Sequence, residues 1–208
     1  MGDTMKNKIA STAFIAPSSV IINSTVGSYC SIDINTRFCY SKIDCFSYIS
    51  VNSNIFSTEI GKFSSISWNV SINPANHDYT RFTQHPILFA KKYGMLRDDP
   101  FYHQYGKVSL GNDVWIGSNV VIMGDVKIGD GAIIGANTRI SKDVPPYAIM
   151  IGNNNHYKNR FNDEVIEALM KLQWWNAPIE LIKENITVLS QHPTVELCKL
   201  LANKFSNY

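Results

Sequence analysis

The chain has 208 residues, of which 45% are hydrophobic and 17% are charged, a balance that supports a packed core and excludes wholesale disorder. Nineteen Lys and Arg residues against 17 Asp and Glu residues give a net charge of +2. Because the basic residues form no long run, the sequence does not indicate a dedicated nucleic-acid-binding protein.

The N-terminal segment and the cysteines indicate the compartment. The first residues, MGDTMKNKIAST, lack the continuous apolar region of a secretory signal, and no apolar stretch approaches the ~18 residues that a membrane span needs. The four cysteines show no metal-ligand spacing and are too few for a disulfide framework. We therefore expect a cytoplasmic protein with reduced thiols.

A six-residue repeat covers most of the chain. Aliphatic residues recur every six positions, and a small residue follows each of them by four: Leu110, Ile116, Ile122, Ile128, Ile134 and Ile140, followed by Val114, Val120, Val126, Ala132, Thr138 and Val144. The same spacing begins upstream near Val20, with one residue lost before Ile43 and another before Ile60. Such self-similarity at a fixed period indicates a repeat architecture.

The period of six selects the backbone conformation. A helix would need apolar positions at a 3.6-residue period, which this pattern lacks. Three short strands with tight corners fit it, because the aliphatic residue points inward and the small residue lies at the corner. The sequence therefore predicts a parallel β-helix whose coils stack on one another. We interpret Cys30, Cys39 and Cys45 as small, buried and unreactive residues of these coils.

The repeat is interrupted once. Between Ile72 and Leu110 it is absent, and the intervening segment contains His77, His85 and His103. A repeat protein that extrudes so long a segment usually uses it for function.

After Pro145–Pro146 the repeat ends and a helical tail is predicted. Asn162 should cap a first helix, Asn176 a second, and the third should span residues 194–205. Trp174 and Trp175 are expected to pack against the β-helix. We assign residues 1–160 to the β-helix domain, with an excursion loop at 73–109, and residues 161–208 to the helical extension.

The stretch GNDVWIGSNVVIMGDVKIGDGAIIGANTRISKDVPPYAIMIGN, residues 111–153, resembles the hexapeptide-repeat acyltransferases. The similarity is to their xenobiotic and sugar acetyltransferases, which include type B chloramphenicol and streptogramin acetyltransferases, and the paired tryptophans of the tail share it. The resemblance implies a left-handed β-helix and homotrimers with active sites between subunits. It also implies transfer of an acetyl group from acetyl-CoA to a hydroxyl or an amine, with no metal.

The resemblance also implies the catalytic residue. The family histidine lies in a segment like Asn–x–x–His where the loop leaves the β-helix, and here that segment reads Pro74-Ala75-Asn76-His77. A histidine near its usual pKa can remove a hydroxyl proton as the oxygen attacks the thioester. His85 and Tyr79 are candidates for binding the acceptor. Asp78 could orient the imidazole, although an adjacent side chain usually points elsewhere.

Coenzyme A is placed by the same resemblance along the C-terminal coils. The residues implied are Ser118, Ala136, Ser141 and Lys142, and the 18-residue spacing of the first two stacks them on adjacent coils. The phosphates need cations, for which the candidates are Lys142, Lys158 and Arg160. Here the chain departs from its relatives, since Gly152-Asn153-Asn154-Asn155-His156 lacks their proline and basic residue.

The acceptor is less well determined. The antibiotic-modifying relatives begin with an irregular aromatic segment, whereas this chain repeats from near Val20. The loop also offers stacking faces and hydrogen-bond donors that suit a carbohydrate, namely Tyr79, Arg81, Phe82, Tyr93, Tyr102 and Tyr105. We therefore favour O-acetylation of a saccharide, as a cell-surface polysaccharide unit or a nucleotide-linked sugar. The alternatives are N-acetylation of an amino sugar, acetylation of an antibiotic, and a non-catalytic β-helix that only binds.

Overall fold

The computed structural model describes residues 6–98 and 106–206. It is mainly β, with a parallel β-helix, a long excursion loop and a C-terminal helical region, as the sequence predicted. His103, Tyr102 and Tyr105 lie outside the described residues. No helix of the described part of the chain is long and apolar enough to cross a membrane.

Three sheets form the walls of the coil, and each coil gives one strand to each sheet. The first sheet contains β1 (Lys8–Ile9), β4 (Thr25–Val26), β7 (Lys42–Ile43), β10 (Thr58–Ile60), β13 (Val108–Leu110) and β16 (Lys127–Ile128). The second contains β2 (Phe14–Ile15), β5 (Ser31–Ile32), β8 (Tyr48–Ile49), β11 (Ser65–Ile66), β14 (Trp115–Ile116), β17 (Ile133–Ile134), β19 (Ala148–Ile151) and β20 (Asn155–Asn159). The third contains β3 (Val20–Ile22), β6 (Arg37–Cys39), β9 (Asn54–Phe56), β12 (Ser71–Ile72), β15 (Val121–Ile122) and β18 (Arg139–Ile140).

One aliphatic residue of each strand fills the interior. Ile116, Ile122, Ile134 and Ile140 have no exposed surface, and the small residues between them are also buried. The predicted inward set is therefore confirmed, except at Val20. Val20 pairs with Arg37 and is 41% exposed, whereas Ile21 pairs with the buried Phe38 and packs against the core.

The coil changes length along the chain. Strand partners are 17 residues apart upstream, as in Lys42↔Glu59, and 18 apart downstream, as in Ser109↔Lys127. The missing residue falls at the corner between the third and first sheets. There Ser41 Oγ donates to Cys39 O at 2.7 Å and accepts from Thr58 N at 3.0 Å. The serine hydroxyl thus provides hydrogen-bond partners for backbone groups at the shortened corner.

All three corners use residues with positive φ, which asparagine tolerates better than most side chains. Between the second and third sheets these are Asn35, Asn52, Asn69, Asn119 and Asn137. All four cysteines are free, and Cys30 and Cys39 are buried as expected. Cys45 is half-buried, so its predicted burial is wrong.

Four helices follow the coil. They are α1 (Asp163–Leu172), α2 (Ile179–Glu184), α3 (Ile186–Leu189) and α4 (Val195–Ser206). Asn162 caps α1 by accepting from Val165 N at 3.0 Å, as predicted. Asn176 does not cap α2, because a 3-10 helix, Trp174–Asn176, includes it and Pro178 precedes α2.

The tail packs on the corner between the first and second sheets. The Trp174 ring lies 4.8 Å from the Phe63 ring, and Trp175 is 2% exposed. Phe63 in turn stacks on Phe46 at 5.0 Å, and Phe46 on Tyr29 at the same distance. Trp174 thus packs against the β-helix, as predicted, and Trp175 is buried beside it with the two ring centroids 6.0 Å apart.

Candidate active site

The excursion loop is tied at its base by Asn73. This side chain follows β12, is 2% exposed and has a φ of 58°. Its Nδ2 donates to Phe56 O at 3.1 Å and to Gly106 O at 2.6 Å, so it joins the chain leaving the coil to the chain returning to it. A Cβ on Gly124 would lie 2.8 Å from Asn73 Oδ1, which explains the glycine there.

His77 lies four residues beyond this anchor, on the exposed side of the loop. Its Nδ1 is 2.8 Å from Gln84 O. A carbonyl oxygen only accepts, so Nδ1 carries a proton, and in the neutral ring the lone pair is on Nε2. The ring also meets Phe89 edge-on, with centroids 6.5 Å apart. The imidazole is thereby oriented with its basic nitrogen away from its anchor.

The carboxylate of Asp78 is engaged locally. It accepts from Thr80 Oγ1 at 2.6 Å and from Arg81 Nε at 2.8 Å. The hydrogen bonds from Thr80, then that from Arg81, lower the pKa of Asp78. Asp78 therefore shapes the turn after His77, and the Gln84 carbonyl orients the imidazole.

His85 and Tyr79 occupy different environments. His85 Nδ1 accepts from Ile87 N at 3.2 Å, which caps the 3-10 helix Pro86–Leu88, and its ring meets Tyr93 edge-on at 5.0 Å. Tyr79 is 82% exposed. Tyr79 is thus available to an acceptor, while His85 has a structural partner on one nitrogen.

Ser118 and Ala136 stack as their spacing predicts. They lie on adjacent coils, and Asn137 N donates to Ser118 O at 2.9 Å. Ser141 directly follows β18 and makes two hydrogen bonds with the side chain of Asn154. Asn154 Oδ1 accepts from Ser141 N at 2.7 Å, and Asn154 Nδ2 donates to Ser141 Oγ at 2.8 Å. Asn154 comes from the segment in which this chain departs from its relatives.

The three candidate cations differ in their surroundings. Lys142 and Lys158 are exposed, and Lys158 Nζ lies 5.7 Å from the Tyr157 ring. Arg160 is half-buried and makes two hydrogen bonds within the protein. Its Nη1 donates to Asp113 Oδ2 at 3.0 Å and to Gly131 O at 2.8 Å. Burial raises the pKa of Asp113, although Arg160 opposes that shift.

His77 and Ser118 lie at opposite ends of neighbouring strands in the third sheet. His77 follows the carboxyl end of β12, and Ser118 precedes the amino end of β15, which is the neighbouring parallel strand. At a rise of ~3.3 Å per residue, these two strand ends are on the order of 15 Å apart along the strand direction. A second chain can bring one of these strand ends close to the opposite strand end of the first chain.

Two positions were missed by the sequence reasoning. Gln84 acts through its backbone carbonyl, which no residue type encodes. Asn73 had a readable signal, since it directly follows the last aliphatic residue before the loop. Among the described residues no group of three or more His, Cys, Asp or Glu side chains could hold a metal ion.

The coil of six-residue repeats defines the class of protein. Residues 107–142 match the family described as "Bacterial transferase hexapeptide (six repeats)". The chain is 44% identical over 154 residues to a "Probable macrolide acetyltransferase" of Lysinibacillus sphaericus, covering 71% of this chain and 83% of that protein. It therefore belongs to the hexapeptide-repeat acyltransferases.

The branch follows from a second relative. A chloramphenicol acetyltransferase of Klebsiella aerogenes is 38% identical over 146 residues, 67% of this chain and 69% of that protein. The chain is thus an acetyltransferase of the xenobiotic and sugar branch. Among solved structures, a variant of AntD has a TM-score of 0.61 at 20% identity, over 81% of this chain and 90% of its own. AntD is an N-acyltransferase from Bacillus cereus, in complex with dTDP-4-amino-4,6-dideoxyglucose and Coenzyme A, and at this identity the likeness is one of fold.

Proposed function

We propose that the protein transfers an acetyl group from acetyl-CoA to a hydroxyl of a saccharide, with His77 as general base. The observation that carries the proposal is the 2.8 Å contact between His77 Nδ1 and Gln84 O. It fixes the neutral tautomer that can accept a proton at Nε2. Such a base typically contributes ~10²–10⁴-fold to the rate.

The reaction then runs through one tetrahedral intermediate. Nε2 removes the acceptor proton as the oxygen attacks the thioester carbonyl. The carbonyl π electrons move onto the oxygen, which needs hydrogen-bond donors. When the intermediate collapses, the carbon–sulfur bond breaks and the leaving CoA sulfur takes the proton from His77. The base is regenerated without any metal or redox step.

Coenzyme A fits the column of small residues on the C-terminal coils. Ala136 is exposed and Ser118 is half-buried, so a narrow pantetheine arm can approach the backbone there. Lys142 and Lys158, both exposed, are available to its phosphates. Arg160 is instead held by Asp113 and Gly131 at the corner between the first and second sheets, and we assign it no phosphate.

A homotrimer would complete the site. The outward residues of the parallel strands of the second sheet, β20 apart, are uncharged: Phe14, Ser31, Tyr48, Ser65, Trp115, Ile133 and Ile149. The matching residues of the first sheet include Lys8, Lys42, Glu59 and Lys127. Burying the uncharged face between copies suits subunit contacts. In the trimer that we propose, the excursion loop of one subunit reaches the column of small residues of the next.

The saccharide acceptor is supported by the N-terminal coil and the loop. The coil is regular from β1 onward, so the irregular segment of antibiotic-modifying relatives is absent from residues 6–22 of the described chain. Tyr79 and Phe82 stand exposed in the loop beyond His77 and can stack on a sugar ring. The second candidate is acetylation of an antibiotic hydroxyl, favoured by the 44% identical relative.

The test is thiol release from acetyl-CoA with a panel of saccharides, amino sugars, macrolides and chloramphenicol. His77→Ala should lose about 10²–10⁴-fold in turnover, while its affinity for Coenzyme A stays within twofold. His192→Ala, in the tail, is the matched control and should retain wild-type turnover. A His77 variant with normal turnover overturns the catalytic assignment. Turnover with macrolides alone would replace the saccharide by the second candidate.

A further inference from the structure

One corner of the coil presents a continuous column of outward residues. The column lies just before the corner asparagines and contains Ile34, Val51, Trp68, Ser118 and Ala136, one residue per coil. Backbone hydrogen bonds fix its register, since Asn119 N donates to Trp68 O at 3.1 Å and Asn137 N donates to Ser118 O at 2.9 Å. Trp68 is therefore the next residue above Ser118.

The column changes from small to large at this point. Ala136 and Ser118 leave the backbone open to a narrow ligand, whereas Trp68 is a bulky side chain that is 53% exposed. Neighbouring coils are separated by ~4.8 Å. A groove that follows the small residues therefore ends against the indole one coil above Ser118.

Trp68 also shares a coil with the catalytic loop. It follows β11 and precedes β12, and the loop that carries His77 leaves directly after β12. In a cyclic trimer whose axis runs along the coils, rotation preserves height along that axis. Trp68 of one subunit then lies level with His77 of the next.

We propose that Trp68 closes the acyl end of the site and restricts the donor to a short acyl group. The inference rests on the proposed function, because it takes the thioester to lie between Ser118 and the partner copy of His77. An acetyl group fits between the sulfur and the indole. Each further methylene meets the ring, and one methylene in such a pocket changes specificity by roughly 10–200-fold.

The experiment compares acetyl-CoA, propionyl-CoA and butyryl-CoA as donors with one acceptor. Wild type should prefer acetyl-CoA over butyryl-CoA by at least about 10²-fold in kcat/KM. Trp68→Ala should raise the butyryl-to-acetyl ratio at least tenfold, and Trp68→Phe should raise it less. Ile34→Ala is the matched control, because Ile34 is an exposed apolar residue of the same column, two coils from Trp68.

The outcomes separate this inference from the proposed function. If wild type shows no turnover with acetyl-CoA, the proposed function fails. If wild type turns over acetyl-CoA and Trp68→Ala leaves the donor ratio unchanged, the role of Trp68 is refuted. Calorimetry gives the same comparison for a variant that folds but turns over slowly, since Trp68→Ala should bind butyryl-CoA at least tenfold more tightly than wild type does.

Discussion

Replacing Asn73 should loosen the base of the excursion loop. The side chain is 2% exposed, and its amide supplies both Phe56 O and Gly106 O. Both carbonyls are partly buried, so leaving each without a donor costs about 1–2 kcal/mol, the lower part of the ~1–3 kcal/mol range for buried groups. Placing alanine at the positive φ of this position costs about 1 kcal/mol more. Asn73→Ala should therefore lower the free energy of unfolding by roughly 3–5 kcal/mol, and Asn73→Gly by about 1 kcal/mol less, because glycine tolerates the backbone conformation.

The assay is urea denaturation of both variants and wild type at one protein concentration, because subunit association makes apparent stability depend on concentration. Turnover with acetyl-CoA should also fall by about 10²-fold, since a misplaced catalytic group loses on that order. Neutral surface substitutions change the free energy of unfolding by at most ~0.5 kcal/mol. If Asn73→Ala differs from wild type by no more than that, Asn73 does not anchor the loop.

Two further predictions concern Arg160 and the cysteines. Burial raises the pKa of Asp113, so the folded state binds the carboxyl proton more tightly than the unfolded state does. The stability that this proton contributes is lost as the pH rises through the raised pKa. Arg160→Gln removes the charge that opposes this shift and so raises the pKa of Asp113 further. Its free energy of unfolding should therefore fall more steeply than that of wild type as the pH rises above about 4; parallel curves would contradict this. For the thiols, a disulfide reagent should label Cys45 first in native protein, because Cys30, Cys39 and Cys198 are buried and burial raises the pKa of each; equal labelling of all four would count against it.

The interior of the coil could be predicted because its geometry is periodic. An inward position recurs each time the chain completes one wall, and bulk there is buried on all sides, so Ile116 and its equivalents are strongly constrained. Even the shortened corners could be located from the places where the spacing drops to five. The first coil was harder to find, because inward positions such as Ile9, which is 45% exposed, lie at the open end of the stack. Burial constrains those positions less, and the register at Val20 was misassigned for the same reason.

The site could be predicted only in part. His77 stands close to the last repeat before the loop, so its neighbourhood was readable. Its orienting partner is a backbone carbonyl, which is set by the path of the loop from His77 to Gln84 and not by a residue type. Asn176 has the composition of a helix cap, but its amide is used elsewhere: Nδ2 donates to Gln173 Oε1 at 3.1 Å, and Oδ1 accepts from Lys62 Nζ at the same distance. Tertiary contacts overrode the local signal.

Subunit mixing tests the central claim most directly, namely that His77 of one chain acts on a thioester held by another. His77→Ala lacks the base, and Ala136→Trp blocks the column, so each variant alone should be inactive. When the two are co-expressed at equal levels, about one site in four of the unfractionated trimers combines an intact loop with an intact column. Thiol release should then recover to about a quarter of the wild-type rate. Folded, trimeric mixtures with no activity would show that each site lies within a single chain and would contradict the account.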